Sequence, residues 1–375
     1  MTAVHVHVVD PPAYTPPYDR ALSGALARQG AEVTLVTAPF SFGPVTPAEG
    51  YEVDERFGRH LPGSSGSALR AAARALTDPL EMAGYRRAAR EADVVHFQWL
   101  ALPAVDSRLL PDRPLVITAH DVIPREPHPG QVAGLRRALN RADAVVVHSE
   151  DGRRRLQGDL GIDPARIHVI EHGAFTHLSE LPAPAPLPAE LAGVEGPVAL
   201  LFGLMRPYKG IEVAVEAWRG IDDAELWVVG MPRMDIGPLR RSAPPNVRFV
   251  DRFVDDAEIP ALFQRADLAL LPYLEIDQSG VCFTAMAFGT PMVLSAVGGF
   301  PEVARAGAAE LVEPGDVLGL RATVRSLLDD PGARARLSEE ASRLTRERYD
   351  WDRIAARHVE LYEDLLDGRG KAGSR

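Results

Sequence analysis

The sequence has 375 residues, of which 46% are hydrophobic and 25% charged, with a formal net charge of −11 and one cysteine. That length suits two domains with separate cores, the acidic balance argues against a nucleic-acid partner, and a lone Cys282 excludes an internal disulfide or a multi-cysteine metal site. No apolar run reaches the roughly 18 residues of a membrane span, and no basic-then-apolar leader opens the chain, so a cytoplasmic location is expected.

Strand and helix signals alternate throughout, as a parallel α/β architecture requires. An apolar strand at 4–9 runs into a stiff Pro-rich loop at 10–17, which carries Tyr14. Tyr18 then opens a helix that Gly30 stops, and a strand follows at 32–37. A helical stretch at 67–91 holds Arg70, Arg74, Arg86, Arg87 and Arg90 among few acids and few large apolar residues. It is either a solvated face or a weak peripheral contact with an anionic membrane. Strands are expected at 94–97, 115–118, 144–148 and 168–170, and helices near 130–141 and 149–158. This first Rossmann-like half spans 1–177. A Pro-rich segment inside 178–196 reads as a linker.

The second half, 197–350, repeats the scheme. Its strands fall at 198–202, 225–229, 247–250, 268–271, 292–295 and 309–312. Its helices fall near 210–219, 256–265, 281–288, 315–329 and 333–347. An amphipathic helix at 351–367 follows, then a tail at 368–375 that reads as disordered.

Two clusters carry chemistry. Gly203-Leu-Met-Arg206-Pro-Tyr-Lys209 lies between an apolar strand and a helix. Arg206 offers a fork of donors and Lys209 a compact charge, so together they suit negative charge building on a departing phosphate. Ser279-Gly280-Val281 begins another helix, whose free N–H groups and dipole favour an anion. On the first half, Thr118-Ala119-His120-Asp121 and His96-Phe97-Gln98-Trp99 each end an apolar strand. A loop carbonyl is the alternative partner for His120, Asp121 suits an N-cap, and Trp99 suits a core. His172 and Gly173 read as a turn needing positive φ.

With Arg206-Pro-Tyr-Lys209-Gly, Ala285-Met-Ala-Phe-Gly-Thr-Pro291 and Val297-Gly-Gly-Phe-Pro-Glu302 in place, the chain resembles family 4 retaining glycosyltransferases along nearly its whole length. The resemblance implies the GT-B fold: two Rossmann-like α/β domains facing across a cleft, with the last helix crossing back to the first domain. It implies that Arg206 and Lys209 bind a donor diphosphate, with Gly203, Glu275, Asp277, Ser279, Gly280, Val281 and Thr284 in the same site. It places His120 at the donor sugar. Tyr14, Tyr18, Gln98, Trp99 and Asp121 then become candidates for the acceptor side. Both glutamates of the family's E-x7-E element are absent, their places taken by Ile276 and Thr284, with Glu275 and Asp277 able to substitute after a small loop shift.

The expected reaction is retaining transfer of a hexose-type sugar from a nucleotide-diphosphate sugar, UDP- or GDP-linked, to a hydroxyl acceptor, without cofactor or metal. A sugar-nucleotide epimerase, a pseudo-glycosyltransferase and an inactive partner subunit fit the same scaffold.

Overall fold

The computed structural model describes residues 3–59, 68–125, 127–182 and 185–373. Residue 67 of the expected basic helix, the side chain of Arg70, Ala183 and Pro184 of the Pro-rich segment, and the last two residues lie outside that description. Contacts divide the chain into two compact units, Met1–Glu171 with Trp351–Arg375, and His172–Asp350. The division therefore falls at Glu171 rather than at residue 177, and the segment at 178–196 groups with the second unit.

The first unit is built on seven parallel strands: β1 (His5–Asp10), β2 (Glu32–Thr37), β3 (Glu52–Asp54), β4 (Val94–Phe97), β5 (Leu115–Thr118), β6 (Ala144–Val147) and β7 (Ile167–Val169). They lie in the order β3-β2-β1-β4-β5-β6-β7, so the winding reverses between β1 and β4. The sequence gives no sign of β3, because Glu52-Val53-Asp54 has no apolar run; its register on β2, Thr34 against Glu52, makes it a strand. The central strands are buried along almost their whole length, as helix-covered parallel strands must be. Val6, Val8 and Val9 of β1 and Val94, Val95 and Phe97 of β4 are all buried.

The last helix, Trp351–Gly373, belongs to this unit and packs on the helix Pro16–Arg28. It continues through the residues expected as a disordered tail, up to Gly373. A buried polar bridge ties it to the sheet. The Tyr362 hydroxyl meets His96 Nδ1 at 2.7 Å, and His96 Nε2 meets Thr118 Oγ1 at 2.7 Å. Burial holds the His96 pKa well below the usual imidazole range. The neutral ring offers one N–H and one lone pair, and either hydroxyl can complement it. The Arg28–Asp352 ion pair on the same helix pair is half exposed.

The second unit carries β8 (Val198–Phe202), β9 (Glu225–Val229), β10 (Val247–Val250), β11 (Leu268–Leu271), β12 (Met292–Ser295) and β13 (Ala309–Val312), in the order β10-β9-β8-β11-β12-β13. All six match the ranges expected from sequence, and all pair in parallel. Trp218, Ile211 and Ala214 of the helix Ile211–Trp218 pack against them. The short helices Gly237–Ser242 and Phe300–Arg305 were not expected; each carries a proline in its first turn.

The basic helix Ala68–Ala88 differs from its sequence reading in one respect. Leu76 and Leu80, one turn apart, are 78% and 76% exposed, so large apolar residues do reach its surface. No helix among the described residues is long and apolar enough to cross a membrane.

The contrast between buried and exposed ties gives a test. Tyr362→Phe strands a buried ring nitrogen and is expected to lower unfolding free energy by about 1–3 kcal/mol. Asp352→Asn removes a solvated ion pair and is expected to change it by less than about 1 kcal/mol. Urea unfolding of both variants checks the difference.

Candidate active site

In a parallel sheet every strand delivers its carboxyl end to the same edge. In the first unit that edge gathers the residues following β1, β4, β5 and β6. His120, two residues past β5, sits at their meeting point. Its Nε2 lies 3.0 Å from Gln98 Oε1 and its Nδ1 lies 3.2 Å from His148 Nε2. Trp99 stacks on the ring with 5.1 Å between centroids and 13° between planes, and Tyr18 approaches edge-on at 4.7 Å. Trp99 is held in turn by its Nε1, which donates to Thr15 Oγ1 at 2.9 Å, and Tyr14 lies against it at 5.1 Å.

The loop bearing Tyr14 and Thr15 is organised from below by Asp10. One carboxylate oxygen of this buried residue accepts the N–H groups of Tyr14 at 2.6 Å and Thr15 at 3.1 Å. Asp19 is buried beside it, and burial pushes the pKa values of both carboxyls up, so the pair favours holding a proton. The loop has no glycine, and Ala13 takes its positive φ of 51°.

These contacts sort the expected acceptor residues. Gln98 and Tyr18 are 1% exposed and touch His120, so they support the histidine, whereas Tyr14 is 66% exposed. Asp121 caps no helix among the described residues: its carboxylate accepts two N–H groups of Arg125, at 3.2 and 3.4 Å. The partner that sequence reasoning missed is His148. Its signal was a polar residue directly after an apolar strand on the same edge. His172 stacks on Phe283 at 4.4 Å and 6°, a packing role, and Gly173 is not among the glycines with positive φ.

In the second unit the matching edge collects loops after β8, β11 and β12. Lys209 is 5% exposed, with its Nζ 2.9 Å from the Tyr273 hydroxyl and 3.4 Å from the Phe202 carbonyl. Tyr273, two residues past β11, was not anticipated. Gly203 explains how the ammonium fits. With φ at +103°, a Cβ there would stand 2.8 Å from Lys209 Nζ and 3.1 Å from Val281 Cγ2, so the lysine and the start of the helix Gly280–Ala287 share the space over this glycine. Ser279 does not cap that helix with its side chain, and the N–H groups of Gly280 and Val281 have no acceptor among the described residues. Arg206, half-buried, begins the turn Pro207–Lys209. A buried ammonium beside a bare helix N-terminus is built to receive an anion.

The sequence comparisons agree with this layout. The pattern described as Glycosyltransferase Family 4 matches residues 20–177, and that described as Glycosyl transferases group 1 matches residues 196–330. The chain is 30% identical over 293 residues to a glycogen synthase of Mycobacterium tuberculosis, covering 72% of this chain and 68% of that one. The chain belongs to the family 4 glycosyltransferases. Over 98% of its length this glycosyltransferase is also 29% identical to a D-inositol 3-phosphate glycosyltransferase of Xylanimonas cellulosilytica, 97% of which is covered.

Solved structures give the same GT-B architecture. A sucrose-phosphate synthase of Thermosynechococcus elongatus superposes with a TM-score of 0.77 at 20% identity, covering 97% of this chain and all of that one. HepE of Anabaena, solved in complex with UDP-glucose, gives 0.71 at 18%, covering 96% and 99%.

The positions of the missing glutamates are now visible. Ile276 is buried, and Thr284 turns its hydroxyl back to the Gly280 carbonyl at 3.1 Å, so it can only accept from a ligand hydroxyl. Glu275 is exposed and Asp277 buried. The loop shift expected to recruit them is hindered. The Gly299 N–H is bonded to the Asp277 carbonyl at 3.1 Å, and a Cβ on Gly298 would lie 2.1 Å from the Ile276 carbonyl oxygen, so the segment is wedged against its neighbour.

Cys282, in the same helix, is fully buried, and burial pushes its thiol up to about 12. It is expected to resist iodoacetamide in the folded protein at pH 8 and to react once the chain is unfolded, which mass spectrometry reads directly.

Proposed function

We propose that this glycosyltransferase moves a hexose-type sugar from a nucleotide-diphosphate sugar to a hydroxyl acceptor with retention of anomeric configuration. The observation that carries the reading is the buried Lys209 ammonium over Gly203, beside N–H groups of Gly280 and Val281 that have no acceptor among the described residues. With Arg206 in the same loop, this second-unit surface supplies cationic and dipolar stabilisation for a diphosphate. Ser279 and Asp277 complete its polar wall, and Thr284 accepts from the nucleoside. The first-unit edge, with His120, Trp99 and Tyr14, is assigned to the reacting sugar and its acceptor.

In this mechanism the bond from the anomeric carbon to the phosphate oxygen breaks as the acceptor oxygen bonds to the same face of that carbon. The acceptor proton passes to the leaving phosphate oxygen. No protein nucleophile is needed, so the catalytic burden rests on stabilising the leaving diphosphate and on positioning. HepE of Anabaena was solved with UDP-glucose and with UDP, which makes a UDP-sugar the first donor to try.

The absence of a carboxylate at position 284 is expected to weaken nucleoside binding by about 1–3 kcal/mol relative to a family member that has it. Arg206→Ala and Lys209→Ala are each expected to lower turnover roughly 10²-fold, the scale of losing one oxyanion donor. Near-normal rates in either would refute the assignment.

Binding is checked separately by thermal unfolding with UDP, GDP, dTDP and ADP, each with and without magnesium. A nucleotide at a hundred times its Kd is expected to add about 2.7 kcal/mol without magnesium. No shift with any of the four would point to an inactive partner subunit.

A further inference from the structure

We propose that His148 is a positioning residue that fixes the proton of His120, through a one-way chain of N–H donors from Gln98 through His120 and His148 to the backbone. The chain is read from its closed end. His148 Nδ1 lies 2.9 Å from the Ile170 carbonyl oxygen, which can only accept, so Nδ1 carries the proton. His148 is 6% exposed, and burial lowers its pKa to about 4, which keeps it neutral. Its Nε2 is therefore a bare lone pair. The 3.2 Å contact to His120 Nδ1 needs a proton from the His120 side, which puts a proton on His120 Nδ1.

A neutral His120 then has an unprotonated Nε2, and at 3.0 Å it faces Gln98 Oε1, another acceptor. The Gln98 amide nitrogen, meanwhile, is buried with no partner among the described residues. Carboxamide oxygen and nitrogen are interchangeable by a half-turn, and the hydrogen bonds decide between them. Turning Gln98 places its NH2 on His120 Nε2, which ends the acceptor–acceptor contact and gives the amide nitrogen a partner, and moves the carbonyl oxygen to the buried place the nitrogen leaves. His120 then has both ring nitrogens committed within the protein, with Trp99 stacked on the ring and Tyr18 against its edge. It presents to substrate a fixed, neutral ring rather than a mobile acid or base.

This inference rests on the transferase reading for its effect on turnover but not for its spectroscopic test. Imidazole ¹⁵N shifts in the full-length protein at pH 7.5, with His120 assigned by H120N, are expected to show the Nδ1–H tautomer. In H148L that preference is expected to be lost, with donor turnover falling roughly tenfold, the scale of one neutral hydrogen bond, and recovering in H148Q, whose amide oxygen restores the acceptor.

Q98E serves as the second variant, because a carboxylate facing Nε2 calls for a proton there; His120 is expected to become doubly protonated. An Nε2–H or charged His120 in the wild-type protein overturns the proposal. So does an unchanged tautomer in H148L, or a neutral Nδ1–H ring in Q98E. If the wild-type protein transfers sugar from no donor, the transferase reading fails while the spectra still decide the proton chain.

Discussion

Parallel strands deliver their carboxyl ends to one edge, and nearly every candidate residue of this protein sits where it does for that reason. In the first unit β1, β4, β5 and β6 lie together in the sheet, so Thr15, Gln98, Trp99, His120 and His148 meet although up to 133 positions of sequence separate them. In the second unit β8, β11 and β12 are neighbours, and the turns after them bring Gly203, Lys209, Tyr273 and Gly298 to one edge. The short stiff turns past each strand then decide which side chain points inward.

What holds these turns is polar satisfaction in places without water. A buried group that loses its partner costs more than the partner contributes when present, so buried networks are demanding about geometry. Asp10 gathers the loop at 11–15 by accepting two of its N–H groups. His96, caught between Tyr362 and Thr118, joins the last helix to β4 and β5, next to the residues that carry Gln98 and His120. The chain through His120 and His148 follows the same logic and gives a conformationally restricted ring.

The proposed donor side departs from the family's motif at two positions and keeps a buried ammonium beside a helix N-terminus. A lysine buried beside a helix N-terminus needs an anion or strong dipoles near it, and here Tyr273 supplies one dipole and the Phe202 carbonyl another. By the family resemblance, the two lost glutamates would hold sugar and ribose hydroxyls rather than the diphosphate. In the proposed site their replacement by Ile276 and Thr284 leaves the charge-stabilising part in place and changes the part assigned to the sugar and nucleoside. The contacts of Gly298 and Gly299 with the 276–277 backbone hinder the neighbouring acids from shifting into that place.

Much of this was legible in the sequence. All six strands of the second unit, the Gly203–Lys209 loop and the helix beginning at Gly280 are local patterns: apolar runs of strand length, glycine at strained turns, and a polar residue before a helix. The register that makes β3 a strand is not local, since Glu52-Val53-Asp54 has no strand signature. Nor is the placement of the last helix on the first unit, which the family resemblance supplied and composition did not. Only the folded chain could show that Asp121 pairs with Arg125, that Gln98 and Tyr18 are buried supports, and that His148 is the second partner of His120. Which polar groups share a buried space is set by strand order and turn geometry, and a one-dimensional pattern does not encode it.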